Sequence, residues 1–154
     1  MKQVSEHFTV PEFVPKELYL LYGDLCIRYI NMKLVAIAEI LRAFYKAPVT
    51  INDYYRGGSH DGRCLRLPTD PAYRKGSDHN FNMALDFSVD GVDSIKVQSD
   101  IINQEDFNQA LIEAGVTGME DGTQGWTHLG ISDLTTWSIP EKNGIKLISI
   151  PKAV

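Results

Sequence analysis

Three residues of types that bind metal ions, His79, Asp86 and His128, stand at unusual positions in the sequence. Asp86 interrupts the apolar run 83–87, which predicts a buried strand, and a buried carboxylate is unfavourable unless it is paired, hydrogen-bonded or bound to a metal. His79 lies in the polar segment just before this strand, and His128 lies inside the apolar stretch WTHLGI. Imidazole and carboxylate groups suit Zn²⁺, and three protein ligands leave a fourth position for the water that a catalytic zinc activates.

Each of the three residues also has an ordinary structural explanation. A histidine in a strand is commonly a hydrogen-bonded core residue, and an aspartate there can cap a turn or pair with an arginine. One metal ion would compensate all three residues at once. The residue types and spacing therefore leave two interpretations open, a metal site or three separate structural roles.

Local patterns predict the elements that must position these residues. The longest helix is predicted over 31–46, where an apolar stripe at helical spacing ends before Pro48. Shorter helices are predicted over 16–22 and 104–114, and an irregular segment rich in Gly, Pro, Asp and Arg fills 54–78. Strands are predicted over 49–53, 83–89, 116–121, 126–132 and 144–150. Helices come first and most strands come later, which is typical of an α+β fold.

Composition limits the classes of protein that the chain can belong to. A length of 154 residues predicts one domain spanning 1–154. The net charge of −5 argues against non-specific binding of nucleic acid, which needs a basic surface. No apolar run approaches the roughly 18 residues of a membrane span, so no membrane insertion is expected. Cys26 and Cys64 are far apart and outside any CxxC spacing, which predicts two free thiols.

Two short motifs resemble those of the zinc D-alanyl-D-alanine peptidases of peptidase family M15. The segment SDHNFNMALDF is similar to the first zinc motif of that family, Ser-x-His-x-x-Gly-x-Ala-x-Asp, with Ser77, His79, Ala84 and Asp86 in register. WTH, ending at His128, resembles the second motif. INDYYRGG and the stretches HFTVPEFVP and GVTGMEDGTQGWTHLGISD resemble segments of phage-type members, so the similarity extends over about residues 5–150.

The resemblance implies a fold, a cofactor and a substrate class. The fold would be the hedgehog/DD-peptidase fold, in which helices pack on a mainly antiparallel sheet that carries a zinc cleft. Zn²⁺ would be held by His79, Asp86 and His128. The activity would be cleavage of peptide bonds in the stem peptides of bacterial peptidoglycan by a phage-encoded enzyme.

The resemblance also implies a general base shortly before the last histidine. Glu120 and Asp121 are the nearest acids upstream of His128. A hairpin would fold one of them back beside the metal, and a register shift of one residue exchanges them. We favour Glu120 as the base, with Asp121 as the alternative.

A substrate-binding arginine is the other expected catalytic group. Arg56 follows the strand 49–53 as the arginine of the family does, and Arg63 and Arg66 are the alternatives. Trp126 and Ser77 are predicted to line the substrate cleft. His60 is predicted to be an exposed loop residue outside the metal site.

Two departures from the family pattern leave a second hypothesis open. Asn82 replaces the glycine of the first motif, and it suits a tight turn because asparagine tolerates the left-handed conformation. Gly130 stands where many phage relatives carry an aspartate. A non-catalytic zinc-binding virion or assembly protein with the same fold is therefore the alternative.

The N-terminal sequence MKQVSEHFTVPEF lacks the hydrophobic core of a signal peptide. The expectation is therefore synthesis in the cytoplasm of the host. An enzyme acting on the cell wall would then be released by lysis or carried in the virion.

Overall fold

The computed structural model of the chain describes residues 1–132 and 141–148 and has an α+β architecture. The helices are α1 (Lys16–Tyr22), α2 (Met32–Tyr45), α3 (Ser94–Asn103) and α4 (Glu105–Glu113). The strands are β1 (Val49–Thr50), β2 (Ala84–Val89), β3 (Gly118–Glu120), β4 (Thr127–Gly130), β5 (Glu141–Lys142) and β6 (Ile145–Ile148).

The six strands form one sheet in the order β1-β2-β4-β3-β6-β5. All strand pairs are antiparallel except β3 and β6, which run parallel. The predicted α+β class, with helices on a mainly antiparallel sheet, is therefore confirmed. None of the helices within 1–132 and 141–148 has the length and apolar character needed to cross a bilayer.

Helix α2 contributes one apolar face to the core that supports the sheet. The Asn31 side chain caps the N-terminus of this helix by accepting a hydrogen bond from the Lys33 N–H. The helix ends at Lys46, which adopts the left-handed conformation. Its fully buried residues recur at helical spacing, as the apolar stripe in the sequence predicts. They are Leu34, Ile37, Ala38 and Leu41.

Strand β2 has two faces with different roles. Leu85 and Phe87 are fully buried in the hydrophobic core that α2 also fills. Successive side chains of a strand alternate between the two faces, so Asp86 and Ser88 project from the other side. The structure thus separates a supporting apolar face from a polar face that carries the candidate ligands.

The strand predicted over 49–53 is shorter than expected. Only Val49 and Thr50 pair with β2, opposite Val89 and Ser88. The chain then leaves the sheet, because the Asn52 N–H bonds to the Glu12 carbonyl and its side-chain amide bonds to the Val14 carbonyl. On the part of the β2 edge that β1 does not cover, the Arg63 carbonyl accepts a hydrogen bond from the Asp86 N–H at 2.7 Å.

Sequence reasoning missed helix α3. Asp93 caps its first turn by accepting from the Ile95 N–H, and Val97 and Ile101 are its buried apolar residues. The predicted helix over 104–114 corresponds to α4 alone. The strand predicted over 144–150 is observed as β6, and residues 149–150 lie outside the described part of the chain.

Helix α3 fixes the loop of the β3–β4 hairpin through buried polar side chains. The Gln98 amide donates to the Thr123 carbonyl at 2.8 Å and to its hydroxyl at 2.9 Å, and accepts from the Gly122 N–H at 2.9 Å. The Ser94 hydroxyl donates to the same Thr123 carbonyl and accepts from the Gly125 N–H. The hairpin that carries Glu120 and His128 is therefore held from the core side.

We expect Gln98→Leu to destabilise the protein by about 2–3 kcal/mol, because it keeps the side-chain size but leaves buried hairpin groups without partners. Urea denaturation measures this change. Gln109→Leu is the matched control, since Gln109 is exposed and its side-chain amide donates to Glu113, one turn further along the same helix. The two substitutions should differ clearly, and equal effects would contradict the positional role of Gln98.

Candidate metal centre

The three candidate ligands meet at one point of the sheet. Asp86 Oδ1 lies 2.8 Å from His128 Nδ1 and 3.2 Å from His79 Nε2, and the two histidine nitrogens are 3.3 Å apart. Among the described residues, these three form the group of His, Cys, Asp or Glu side chains close enough to hold a metal ion. His79 and Asp86 are buried and His128 is largely buried.

These separations fit a tetrahedral metal site. Bonds of about 2.0–2.1 Å to nitrogen and oxygen place tetrahedral ligands about 3.3–3.4 Å apart. The observed atoms are 2.8–3.3 Å apart. A point about 2.0–2.1 Å from all three atoms then lies about 1 Å outside their plane, so one ion can bind all three with only small adjustments.

Strand register brings two of the ligands together. Asp86 of β2 is paired directly with His128 of β4, and directly opposed residues project from the same face of a sheet. His79 comes from the short 3-10 helix Asp78–Phe81, which immediately precedes β2. The antiparallel pairing of β2 and β4 therefore brings Asp86 and His128 together, although they are far apart in the sequence.

The segment 63–66, which we call the bracing segment, holds both neighbouring ligands. The Cys64 carbonyl accepts a hydrogen bond from His79 Nδ1 at 2.8 Å, so Nε2 carries the free electron pair that faces the other ligands. The Arg66 N–H donates to the His79 carbonyl at 3.0 Å. The Arg66 guanidinium also lies 3.4 Å from Asp86 Oδ2.

Asp86 is kept ionised in this environment. Burial acts to raise the pKa of its carboxyl, but the close contacts with the His128 and His79 imidazoles outweigh burial and hold that pKa well below its usual range. A deprotonated carboxylate is the form that binds a metal ion.

Asn82 makes contacts that the glycine of the family motif lacks. It adopts the left-handed conformation with φ 55°, as expected for a tight turn. Its side chain accepts from the Cys64 thiol at 3.2 Å and donates to the Tyr29 carbonyl. The Asn31 side chain donates to the Asn82 carbonyl at 3.0 Å. Asn82 therefore ties the His79 turn to the bracing segment and to the start of α2.

No protein-family model, curated protein or solved structure was found to match the chain. The resemblance to peptidase family M15 thus rests on the motifs themselves.

The register of the hairpin places the two candidate bases on opposite faces of the sheet. Gly118 pairs with Gly130, and by alternation Glu120 projects from the face of His128, whereas Met119 projects into the core. Asp121 is exposed and lines a surface cavity with Gln98 and Met119 on the helix side. Of the two candidates, Glu120 is therefore the acid on the metal-site face.

Glu120 is close enough to the ligands for their charges to affect it. Burial raises the pKa of its carboxyl, the Asp86 carboxylate raises it further, and His128 lowers it, with a net upward shift. A raised pKa makes a carboxylate a better proton acceptor, which suits the predicted role of a general base.

The three arginines occupy different positions around the site. Arg56 donates to the Thr50 hydroxyl at 3.3 Å, and Arg63 donates to the Ser88 hydroxyl at 3.3 Å. Thr50 and Ser88 are paired across β1 and β2, and Ser88 lies two residues from Asp86 on the same face. Both arginines therefore lie beside the cross-strand pair Thr50–Ser88, near the metal site.

Arg66 differs from the other two arginines because it pairs with a ligand. Within the described part of the chain, Arg56 and Arg63 have no carboxylate within ion-pair distance, whereas Arg66 is paired with Asp86. Burial lowers the pKa of Arg63, and the charges of Asp86 and Asp53 counteract that effect in part. Of these three arginines, Arg56, which is exposed, and Arg63, which is half-buried, are thus the two without a carboxylate partner among the described residues.

The remaining predicted site residues have less specific surroundings. Trp126 is 38% exposed and lies just before β4, two residues from His128. Ser77 starts the 3-10 helix that carries His79, and its side chain makes no capping hydrogen bond. His60 lies outside the metal group, and its main-chain N–H donates to the Asp53 carboxylate. It is half-buried, whereas the sequence predicted an exposed residue.

Both cysteines are free, as the sequence predicts, and both are buried. Burial raises the pKa of each thiol, which favours the protonated form, and neither thiol belongs to the group of His79, Asp86 and His128. The contribution of Cys64 to the site is its main-chain carbonyl, which sequence reasoning did not foresee.

Proposed function

We propose that the chain is a zinc-dependent peptidase with the hedgehog/DD-peptidase fold that cleaves amide bonds in the stem peptides of bacterial peptidoglycan. The observation that supports it most is the convergence of His79 Nε2, Asp86 Oδ1 and His128 Nδ1 on the face of the sheet that Glu120 shares. The substrate class, and the proposal that a phage encodes the enzyme, rest on the resemblance of the two motifs to peptidase family M15.

Zinc is the metal that best suits the group. Two imidazoles and one carboxylate also hold iron in oxygenases. Here a half-buried carboxylate, Glu120, lies beside the ligands, and a proton acceptor at that place suits hydrolysis. When bound, Zn²⁺ supplies Lewis acidity that lowers the pKa of water and polarises a carbonyl.

The other groups have roles that follow from their positions. Glu120 takes a proton from the attacking water and passes it to the leaving amine. Arg56 and Arg63, beside the Thr50–Ser88 pair, bind the substrate's carboxylate or carbonyl oxygen. Trp126, whose exposed side chain comes two residues before His128, packs against the substrate.

The test is digestion of purified peptidoglycan by the zinc-loaded protein, followed by mass spectrometry of the released muropeptides. We expect new amine and carboxyl termini within the stem peptide, loss of cleavage with a chelator, and recovery when zinc is restored. Cleavage of no muropeptide by zinc-loaded protein would instead favour the alternative, a non-catalytic zinc-binding virion or assembly protein.

A further inference from the structure

The two oxygens of the Asp86 carboxylate have different surroundings. Oδ1 lies between the two histidines, 2.8 Å from His128 Nδ1 and 3.2 Å from His79 Nε2. Oδ2 faces the Arg66 guanidinium at 3.4 Å. A carboxylate can bind a metal through one oxygen or two, and here one oxygen is already paired with a cation.

Arg66 is itself fixed in place by the main chain. Its Nε donates to the Gly62 carbonyl at 3.2 Å, and its Nη1 lies 3.4 Å from the Ala72 carbonyl. Its side chain is only 13% exposed. The guanidinium is planar and rigid, so these two contacts fix the position of its third nitrogen, Nη2, which faces Asp86.

We infer that Arg66 is a positioning residue that makes Asp86 bind the metal through Oδ1 alone. The inference rests on the metal site of the proposed function, and it does not depend on the reaction. By retaining Oδ2, Arg66 keeps the carboxylate from turning both oxygens towards the ion. The positions of the metal that face the cleft then stay open for water and substrate.

The same arrangement explains why the arginine is half of a buried pair. Without Arg66, Oδ2 would be a desolvated carboxylate oxygen with no partner, which is unfavourable. Rotation of the carboxylate towards the metal would then be the way to compensate that oxygen. Arg66 removes this alternative and also joins the bracing segment to the ligand.

The experiment compares metal binding by Arg66→Gln, Arg66→Lys and a control, Arg74→Gln. Arg74 is exposed and belongs to the same irregular stretch, and its side chain donates to the main-chain carbonyls of the nearby residues Pro71 and Tyr73. Zinc affinity is measured by competition with a chromophoric chelator. The coordination of the site is measured from the visible absorption spectrum of the Co²⁺-substituted protein, which responds to coordination number.

We expect Arg66→Gln to lower zinc affinity about 10–100-fold, as the loss of a ligand's hydrogen-bonding partner typically does. Its Co²⁺ spectrum should shift towards higher coordination. Arg66→Lys keeps the charge without the fork and should recover part of the affinity, whereas Arg74→Gln should match the wild type in both measurements.

Wild-type affinity together with a wild-type Co²⁺ spectrum in Arg66→Gln would overturn the inference, as would equal losses in Arg66→Gln and Arg74→Gln. If Arg66→Gln does not fold, Arg66→Lys decides by the same two measurements, and no change in either would overturn the inference. A wild type that binds zinc but cleaves no muropeptide would contradict the proposed peptidase and leave the role of Arg66 intact.

Discussion

Glu120→Gln should reduce the rate of peptidoglycan cleavage by about 10²–10⁴-fold, the usual contribution of a general acid–base group. Glutamine keeps the size and polarity of the side chain but accepts no proton. Since Glu120 lies on the face of His128 without being one of the three ligands, folding and zinc content should be unchanged. The measurement is kcat/KM for release of muropeptides, with zinc content determined on the same sample.

Asp121→Asn is the matched control for this substitution. Asp121 is the neighbouring acid, but it lines a cavity on the helix side of the sheet. It should therefore retain nearly wild-type cleavage. The reverse result, in which Asp121→Asn is inactive and Glu120→Gln is active, would show that the hairpin pairs in another register.

The choice between these acids illustrates what the sequence leaves undetermined. Hydrophobic alternation around Glu120 is weak, because a glycine lies on the metal-site side at position 118. A shift of one residue would exchange the faces of the whole strand. The pairing of Met119 with Leu129, both in the core, is what fixes the register, and it depends on contacts between distant parts of the chain.

The grouping of His79, Asp86 and His128 was predictable from one local conflict and from a motif resemblance. Asp86 interrupts an apolar strand, and His79 precedes it at the spacing of a known motif. The boundaries of α2 were equally accessible, since an apolar stripe and Pro48 mark them. These features are local, so neighbouring residues alone reveal them.

The supports of the site were not predictable for the opposite reason. Cys64 and Arg63 contact the ligands through main-chain carbonyls, which every residue type possesses. In α3, Ser94 and Gln98 are buried because they bond to the hairpin, and these polar residues obscure the apolar periodicity of the helix. Sequence patterns report side-chain hydrophobicity, whereas these contacts arise from tertiary hydrogen bonding.

His128→Ala should abolish stoichiometric zinc binding. It removes one of three ligands and leaves His79 and Asp86, which are too few for a closed or catalytic zinc site. Metal analysis of protein that was loaded with zinc and then freed of excess metal measures this loss. His60→Ala is the control, because His60 lies outside the ligand group and should leave the zinc content at one ion per chain.

The same substitution should remove the stabilisation of the folded protein by zinc. A ligand that binds only the native state adds about 4 kcal/mol when its free concentration is about 1,000 times Kd. The metal-free variant is also destabilised, because Asp86 loses the hydrogen bond from His128 that helps to keep its pKa low. The decisive quantity is therefore the rise in Tm on adding zinc, which should be large in the wild type and in His60→Ala and absent in His128→Ala. A zinc-induced rise of equal size in His128→Ala would show that the ion binds elsewhere.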